Sequence, residues 1–563
     1  MTHTALIRLI LATALSTLFG CADTTGTSLG STAQTAADNW RQPLFKGLGD
    51  VGMPITTNST QARNYFNQGL ALTYAFNHAA ADFAFTEATV HDPECAMCYW
   101  GSALVLGPNV NATMDPANGA RAFVLAKRAE TLSAKTAPWE KALIAALVKR
   151  YVPEQEQPED RSELDARYAF AMRQVAATYP GNSDIVALSA EALMDMHPWD
   201  FWDATGTARP WTEEIKRTLE WALTDNPQHI GAIHLYIHAM EQSNQPELAE
   251  PYADQLAALA PAAGHLVHMP AHIYMRVGRY HDATLNNMQA TVADNNFIQA
   301  CRSNSPIYLA GYIPHNWHFG WVTAAIEGWR SKAYELAEGT AGQLTPELLR
   351  APGMAVAQHF LMQPLFAKVR FSDWPAILAS KEPDEDLPYA RAIWHYARGQ
   401  AFVANNELAQ AKQELDALRA LAASPEIAAM TFFNREGAPA LTAIALKVLE
   451  AELANAEGDA DKALGILEEA VVLEDALPYT EPPEWFFPVR HSLGVLQLKM
   501  GNAAAAEATY LEDLRLMPEN GWALKGLENA LRAQGKTAAA DAARARFTEA
   551  WQHAEISISS SRS

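Results

Sequence analysis

Apolar and small residues recur along nearly the whole chain at helical spacing, with almost none of the strict alternation that marks a half-buried strand. Segments 65–93, 267–290 and 490–518 share one template: small residues where two helices would cross, a turn, and then an Ala-x3-aromatic step with a closing proline. Tyr65, Gly69, Ala81, Phe85, Ala88 and Pro93 give the template in full, as do Leu493, Gly494, Gly501, Ala506, Tyr510 and Pro518. Partial copies occur at Gly458-Asp459 with Ala463, at Gly535 with Ala540, and at Gly278 with Ala283 and Ala290. Each copy predicts a helical hairpin whose apolar face is covered only by its neighbours, so the expected fold is an all-α repeat array.

These positions resemble the tetratricopeptide repeat. The resemblance implies a helical-hairpin solenoid, a curved superhelix whose first helices line a concave groove. Longer phrases are similar to one bacterial branch of that family: Phe76-Asn77-His78, Cys95-Ala-Met-Cys98-Tyr-Trp-Gly101, Gly107-Pro-Asn109-Val-Asn111, His268-Met-Pro-Ala-His272-Ile, and Glu481-Pro-Pro-Glu-Trp485 with Pro488-Val-Arg490. The likeness runs over most of residues 60–545 and implies fold, not activity.

Composition narrows the setting. With 563 residues the chain is too long for one core, and 49% hydrophobic with 19% charged residues is the make-up of a folded, soluble protein. Its net charge of −22 repels phosphate backbones, so nucleic acid is not an expected partner. Residues 1–20 read as a secretory signal, with Arg8 before an apolar run from Leu9 to Phe19. Leu18-Phe19-Gly20-Cys21 resembles a lipobox, which implies acylation of Cys21 and an exported, periplasmic, membrane-anchored protein; a plain secretory signal is the alternative. Residues 21–50 read as a flexible tether, 51–380 as an N-terminal array carrying the candidate chemistry, 381–553 as a C-terminal array, and 554–563 as a disordered tail.

Nine of the 17 histidines lie between His229 and His318, and their register matters more than their number. His234 to His268 is 34 residues and His238 to His272 is 34 again, one period of the repeat. Aligned on the turn residues, His265, His268 and His272 take the second, fifth and ninth positions of one repeat. His234 and His238 take the fifth and ninth of the preceding repeat, and His315 and His318 the second and fifth of the next. In tetratricopeptide arrays such positions face the groove, so seven imidazoles are expected on one surface. Spacings of three and four share a helix face, and stacked helices bring neighbouring repeats within reach of one ion.

Imidazole is a common metal ligand, and an imidazole-rich, carboxylate-poor set suits copper or zinc, with iron admitted if Glu241 joins it. His234, His238, His265, His268, His272 and His318 are the candidate ligands, with His234 and His315 the outermost pair. Glu241 and His315 are the candidate catalytic groups. The other readings of the cluster are recognition of an anionic or aromatic ligand, and plain packing. Pro270 should kink the first helix of its repeat or mark its true start.

Other residues extend the picture. Cys95 and Cys98 read as a disulfide, plain packing, a thiolate pair on a metal, or a redox pair, and Cys301 as a free thiol near the groove. His78, Asn109, Trp199, Arg276 and Tyr312 are candidate substrate contacts, with Glu191 and Asp195 extending the lining. Phe76-Asn77-His78 replaces the usual glycine turn, which local backbone preference also explains. His265 to His315 is 50 residues, sixteen beyond one period, and the extra segment around 295–314 is expected to cover the groove as a lid. The sequence contains no phosphate-binding loop, HExxH or CxxCH pattern. The expectation is a copper- or zinc-dependent enzyme acting on a small molecule. Its rivals are a non-catalytic, peptide-binding scaffold and a metal storage or delivery protein.

Overall fold

Side chains set the helix ends that the pattern predicts. Ser59 accepts a hydrogen bond from the Ala62 N–H to begin Thr60–Tyr74, Asn182 from Ile185 to begin Ser183–Met194, and Asp459 from Lys462 to begin Ala460–Asp475. The computed structural model describes residues 42–301, 308–432, 435–485 and 487–562. The signal segment 1–20 and Cys21 lie outside the described residues. Among those described, the chain is an all-α array of helical hairpins of the tetratricopeptide type, with a short antiparallel pair of strands at Thr431–Phe432 and Arg435–Glu436. No helix among them is long and apolar enough to cross a membrane.

The repeat template has a physical cause. Phe85, on the second helix of its hairpin, is fully buried between two glycines 32 residues apart. A Cβ placed on Gly69 would sit 2.7 Å from the Phe85 ring, and one on Gly101 2.4 Å from it. Tyr510 repeats the device: a Cβ on Gly494 would lie 2.4 Å from its ring, and on Gly526 2.2 Å. Each aromatic is thus a knob shared by the first helices of its own and the next repeat. Only glycine lets three helices close on it.

The chain divides into two compact units, each discontinuous. The first comprises residues 42–269 together with 292–301 and Tyr308. Its hairpins run from Thr60–Tyr74 with His78–His91 through Thr212–Asp225, Ile230–Met240 and Glu250–Leu259 to Gly264–His268. Residues 42–50, expected as tether, partly pack on it: Leu48 is buried and the Phe45 ring lies 4.9 Å from that of Phe297. The second unit comprises Pro270–Thr291 and Leu309 onward. The boundary read at 380/381 does not mark this division, since Gln363–Arg370 and Pro388–Ala404 both belong to the second unit.

Pro270 opens the helix Pro270–Val277, and Gly264–His268 is a separate short helix before it. A proline at a helix start gives up an N–H that has no partner there in any case. Residues 554–562 depart from the disordered tail that their serine-rich composition predicts. They fold back within the second unit, and Ser561 is fully buried.

Candidate metal centre

In the first unit three of the predicted histidines converge. His234 and His238 lie one helical turn apart on Ile230–Met240, and His265 comes from Gly264–His268. One ring nitrogen from each lies within 4.8 Å of the other two, and the three side chains are 0%, 2% and 2% exposed. The His265 and His234 Nε2 atoms are 3.1 Å apart. Two nitrogens on a tetrahedral zinc, each about 2.0–2.1 Å from the ion, would be separated by about 3.3 Å. The same distance suits an N–H···N hydrogen bond from neutral His265, in which case metal uptake at its Nε2 would shift that proton to Nδ1.

The partners of the opposite ring edges fix the tautomers. His234 Nδ1 lies 2.7 Å from the Tyr74 carbonyl oxygen, which can only accept, so Nδ1 carries the proton and the Nε2 lone pair of the neutral ring is left toward His265. His238 Nδ1 lies 3.0 Å from Glu241 Oε1, and an ionised carboxylate imposes the same choice. Metal-bound imidazoles are commonly oriented in this way, by a carbonyl or carboxylate behind the ring. Glu241, read from sequence as a base or ligand, is placed here as the group that orients His238. His234, read as an outermost histidine, stands inside the triad.

Two aromatic residues wall the triad from unusual backbone. Phe76 has φ 52° and Trp199 φ 62°, both in the left-handed region that large side chains avoid. The Phe76 ring centroid is 4.3 Å from that of His234 and stacks at 5.8 Å on both His238 and His265. The Trp199 ring meets His238 edge-on at 5.3 Å. Trp199 was a predicted contact. In sequence Phe76 marks only a turn. His268 is fully buried, its ring 5.9 Å from that of His265.

A second polar group in this unit surrounds Arg150. The guanidinium donates to Asp165 Oδ1 at 2.9 Å and to Asp195 Oδ2 at 2.7 Å. Glu191 and His78 join Asp195 and Arg150 around a cavity of ≈ 10 Å³, space for about one water. Burial pushes the Glu191 and Asp195 carboxyls above the usual range, against the pull of Arg150. Burial, aided by Arg150, takes His78 down to about 4. The Asn109 amide lies 3.5 Å from His78 Nε2, and its Oδ1 accepts the Asn111 N–H.

The remaining candidates fall in the second unit and divide between two places. His272 Nδ1 is 3.1 Å from Glu481 Oε2, with both side chains buried, and its ring is 5.8 Å from that of half-buried His315. Glu481 accepts from the Tyr479 hydroxyl, to which Arg276 Nη1 donates at 3.3 Å. His318 instead meets His359, ring to ring at 5.7 Å, and burial beside His359 and His315 lowers its pKa. His359 is taken down to about 3 by burial, its Nδ1 2.9 Å from the Tyr389 hydroxyl. Tyr312 is buried at the end of a π-helical turn, Tyr308–Tyr312. Within each unit, taken by itself, the expected histidines group as follows. The structure groups His234, His238 and His265, pairs His272 with Glu481, and sets His318 with His359.

Cys95 and Cys98 form a disulfide at the start of the helix Ala96–Val105. Cys301, expected as a thiol near the histidines, is a buried free thiol 3.7 Å from Gln42 Nε2. Of the segment expected as a lid, Arg302 lies outside the described residues. Residues 295–300 continue the helix Tyr280–Ala300, and the Tyr308 hydroxyl donates to Asp294 at 2.7 Å.

No protein-family model matches the chain, and no curated protein sequence matches it. Among solved structures, the human IFIT1 dimer with m7Gppp-AAAA is similar at 12% identity and a TM-score of 0.32, over 88% of this chain and 91% of that one. The APC/C hetero-tetramer Cut9–Hcn1 is similar at 13% identity and TM-score 0.31, over 85% and 78%. Yeast Tom70 is similar at 13% identity and TM-score 0.27, over 85% and 90%. Likenesses this low assign neither ligand nor partner to the present chain.

Proposed function

We propose that this helical-repeat protein is a metal-dependent enzyme whose copper or zinc ion is held by His234, His238 and His265. The observation that carries the reading is the convergence of three buried ring nitrogens, two of them with their opposite ring edges on acceptors. Three protein ligands are the pattern of catalytic zinc, where structural sites close with four. An ion so held polarises a substrate oxygen or activates water. The Tyr74 carbonyl and Glu241 hold two imidazoles in the binding tautomer, and Phe76 and Trp199 exclude water from the rings. The substrate is a small molecule. The net charge of −22 disfavours nucleic acid. The protein is exported and anchored through lipid on Cys21, a compartment that allows either metal.

The test is metal content, by plasma mass spectrometry, of protein lacking residues 1–21 and of a His234→Ala/His265→Ala variant. About one equivalent of copper or zinc in the parent, lost in the variant, is expected. A parent that takes up no ion after reconstitution with copper, zinc and iron in turn would falsify the proposal.

A further inference from the structure

The last described residues lie along the second unit as a bound peptide would. After the helix Thr537–Ala550, the Trp551 indole donates to the Ile556 carbonyl at 2.8 Å and the Asn529 amide to the Ser559 carbonyl at 2.8 Å. Ser561 donates to the His491 carbonyl at 2.9 Å, with the Tyr510 hydroxyl 2.8 Å from the same Oγ. Arg562 then enters a cavity among the helices Pro388–Ala404, Ala438–Ala456 and Val489–Lys499. Its guanidinium donates to Gln400 Oε1 at 2.6 Å and to Ser492 Oγ at 2.9 Å, and pairs with the Glu452 carboxylate.

Two features say that this site is built for a ligand rather than filled by chance. The cavity measures ≈ 280 Å³ around Gln400, Glu452, Asn455, Ser492, Lys499 and Arg562, close to the lower end of ligand pockets at about 300 Å³. Gln400 is 2% exposed, and its Nε2 has no hydrogen-bond partner among the described residues. A buried amide donor in that position suits an incoming peptide carbonyl. The hold on the segment is mostly polar. Apart from Ile556 and Ile558, residues 555–562 bring no apolar side chain, so little hydrophobic area opposes its release. A strongly negative chain also draws basic peptides toward it.

We infer that the cavity formed by Gln400, Glu452 and Ser492 is a recognition site for the arginine of an extended, serine-rich peptide from a partner protein, and that residues 556–562 occupy it until such a peptide displaces them. The carboxylate and the two oxygen acceptors read the guanidinium. Tyr510 and the His491 carbonyl read the preceding hydroxyl. The strap is an intramolecular competitor: tethered in place it acts at high effective concentration, so only a partner carrying further contacts in the open volume prevails.

The test uses a fluorescein-labelled peptide of residues 556–563 in anisotropy titrations with the full chain, an Arg562→Ala variant and an Arg562→Ala/Glu452→Gln variant. Loss of the tethered competitor should tighten binding by about tenfold or more in the first variant, and the second should return it to the wild-type level. The same peptide with alanine in place of arginine should not bind. Equal affinity for wild type and Arg562→Ala, or for the two peptides, overturns the inference. The wild-type chain supplies a second readout that no folding defect can confound. Saturating peptide should speed amide exchange across 556–562 by about tenfold, and unchanged exchange also overturns it.

Discussion

Phe76 and Trp199 each hold left-handed backbone, which costs a side chain about 1–2 kcal/mol. Both rings lie against the imidazole triad. Strain of this kind persists where the surroundings fix it, and here it sets two aromatic walls that an ordinary turn would aim elsewhere. Behind the rings, Glu241 is the orienting group open to substitution. Glu241→Gln preserves shape but weakens the acceptor behind His238, and should lower metal affinity by about 10–100-fold. Competition titration against a chelator measures this, and unchanged affinity would show that Glu241 has no part in positioning His238. At this scale the sequence was half legible. The spacing of His234 and His238 and their period marked out two members of the imidazole triad, because covalent register is visible in a string. The roles of Phe76 and Glu481 were not, since a left-handed φ and a partner more than two hundred residues away leave no local mark.

Among elements, the clamp of one aromatic between two glycines sets how closely hairpins stack. Gly494→Ala puts a Cβ 2.4 Å from Tyr510 and should destabilise the fold by about 1–3 kcal/mol through overpacking. Gly465, on the helix Ala460–Asp475, has nothing within 4 Å of the equivalent position. Gly465→Ala should therefore stabilise by about 0.5–1 kcal/mol, through helix propensity alone. Urea unfolding of the two variants checks the pair, and the same sign for both would sink the clamp as the stacking device. The template that predicted the hairpins was legible because these glycines and aromatics recur in register. Residues 554–562 were misread because serine-rich composition ordinarily signals disorder. Their partners Gln400, Glu452 and Ser492 are scattered over three helices and announce nothing in sequence.

The whole molecule responds to acid through buried neutral histidines. His359, at about 3, and His78, at about 4, both lie below the ordinary 6.5. Between those values and 6.5 the unfolded chain binds more protons than the folded one, so stability falls as pH drops through that window. The slope is up to about 1.4 kcal/mol per pH unit for each histidine. Glu474 works the other way: burial pushes it up to about 8, so its contribution is lost as pH rises from 4.5 through 8. Urea midpoints at pH 7 and pH 5 should differ less in His359→Gln than in wild type, and equal differences would remove His359 from the account.

The interleaving of the two units bears on how the chain can be made and dissected. A ribosome delivers residues 270–291, which belong to the second unit, before residues 292–301 and Tyr308, which belong to the first. Phe297, which covers Phe45, and Asp294, which accepts from Tyr308, emerge only after that detour. The first unit therefore cannot close as a finished body during synthesis until the second has begun. No single cut in the gene separates them.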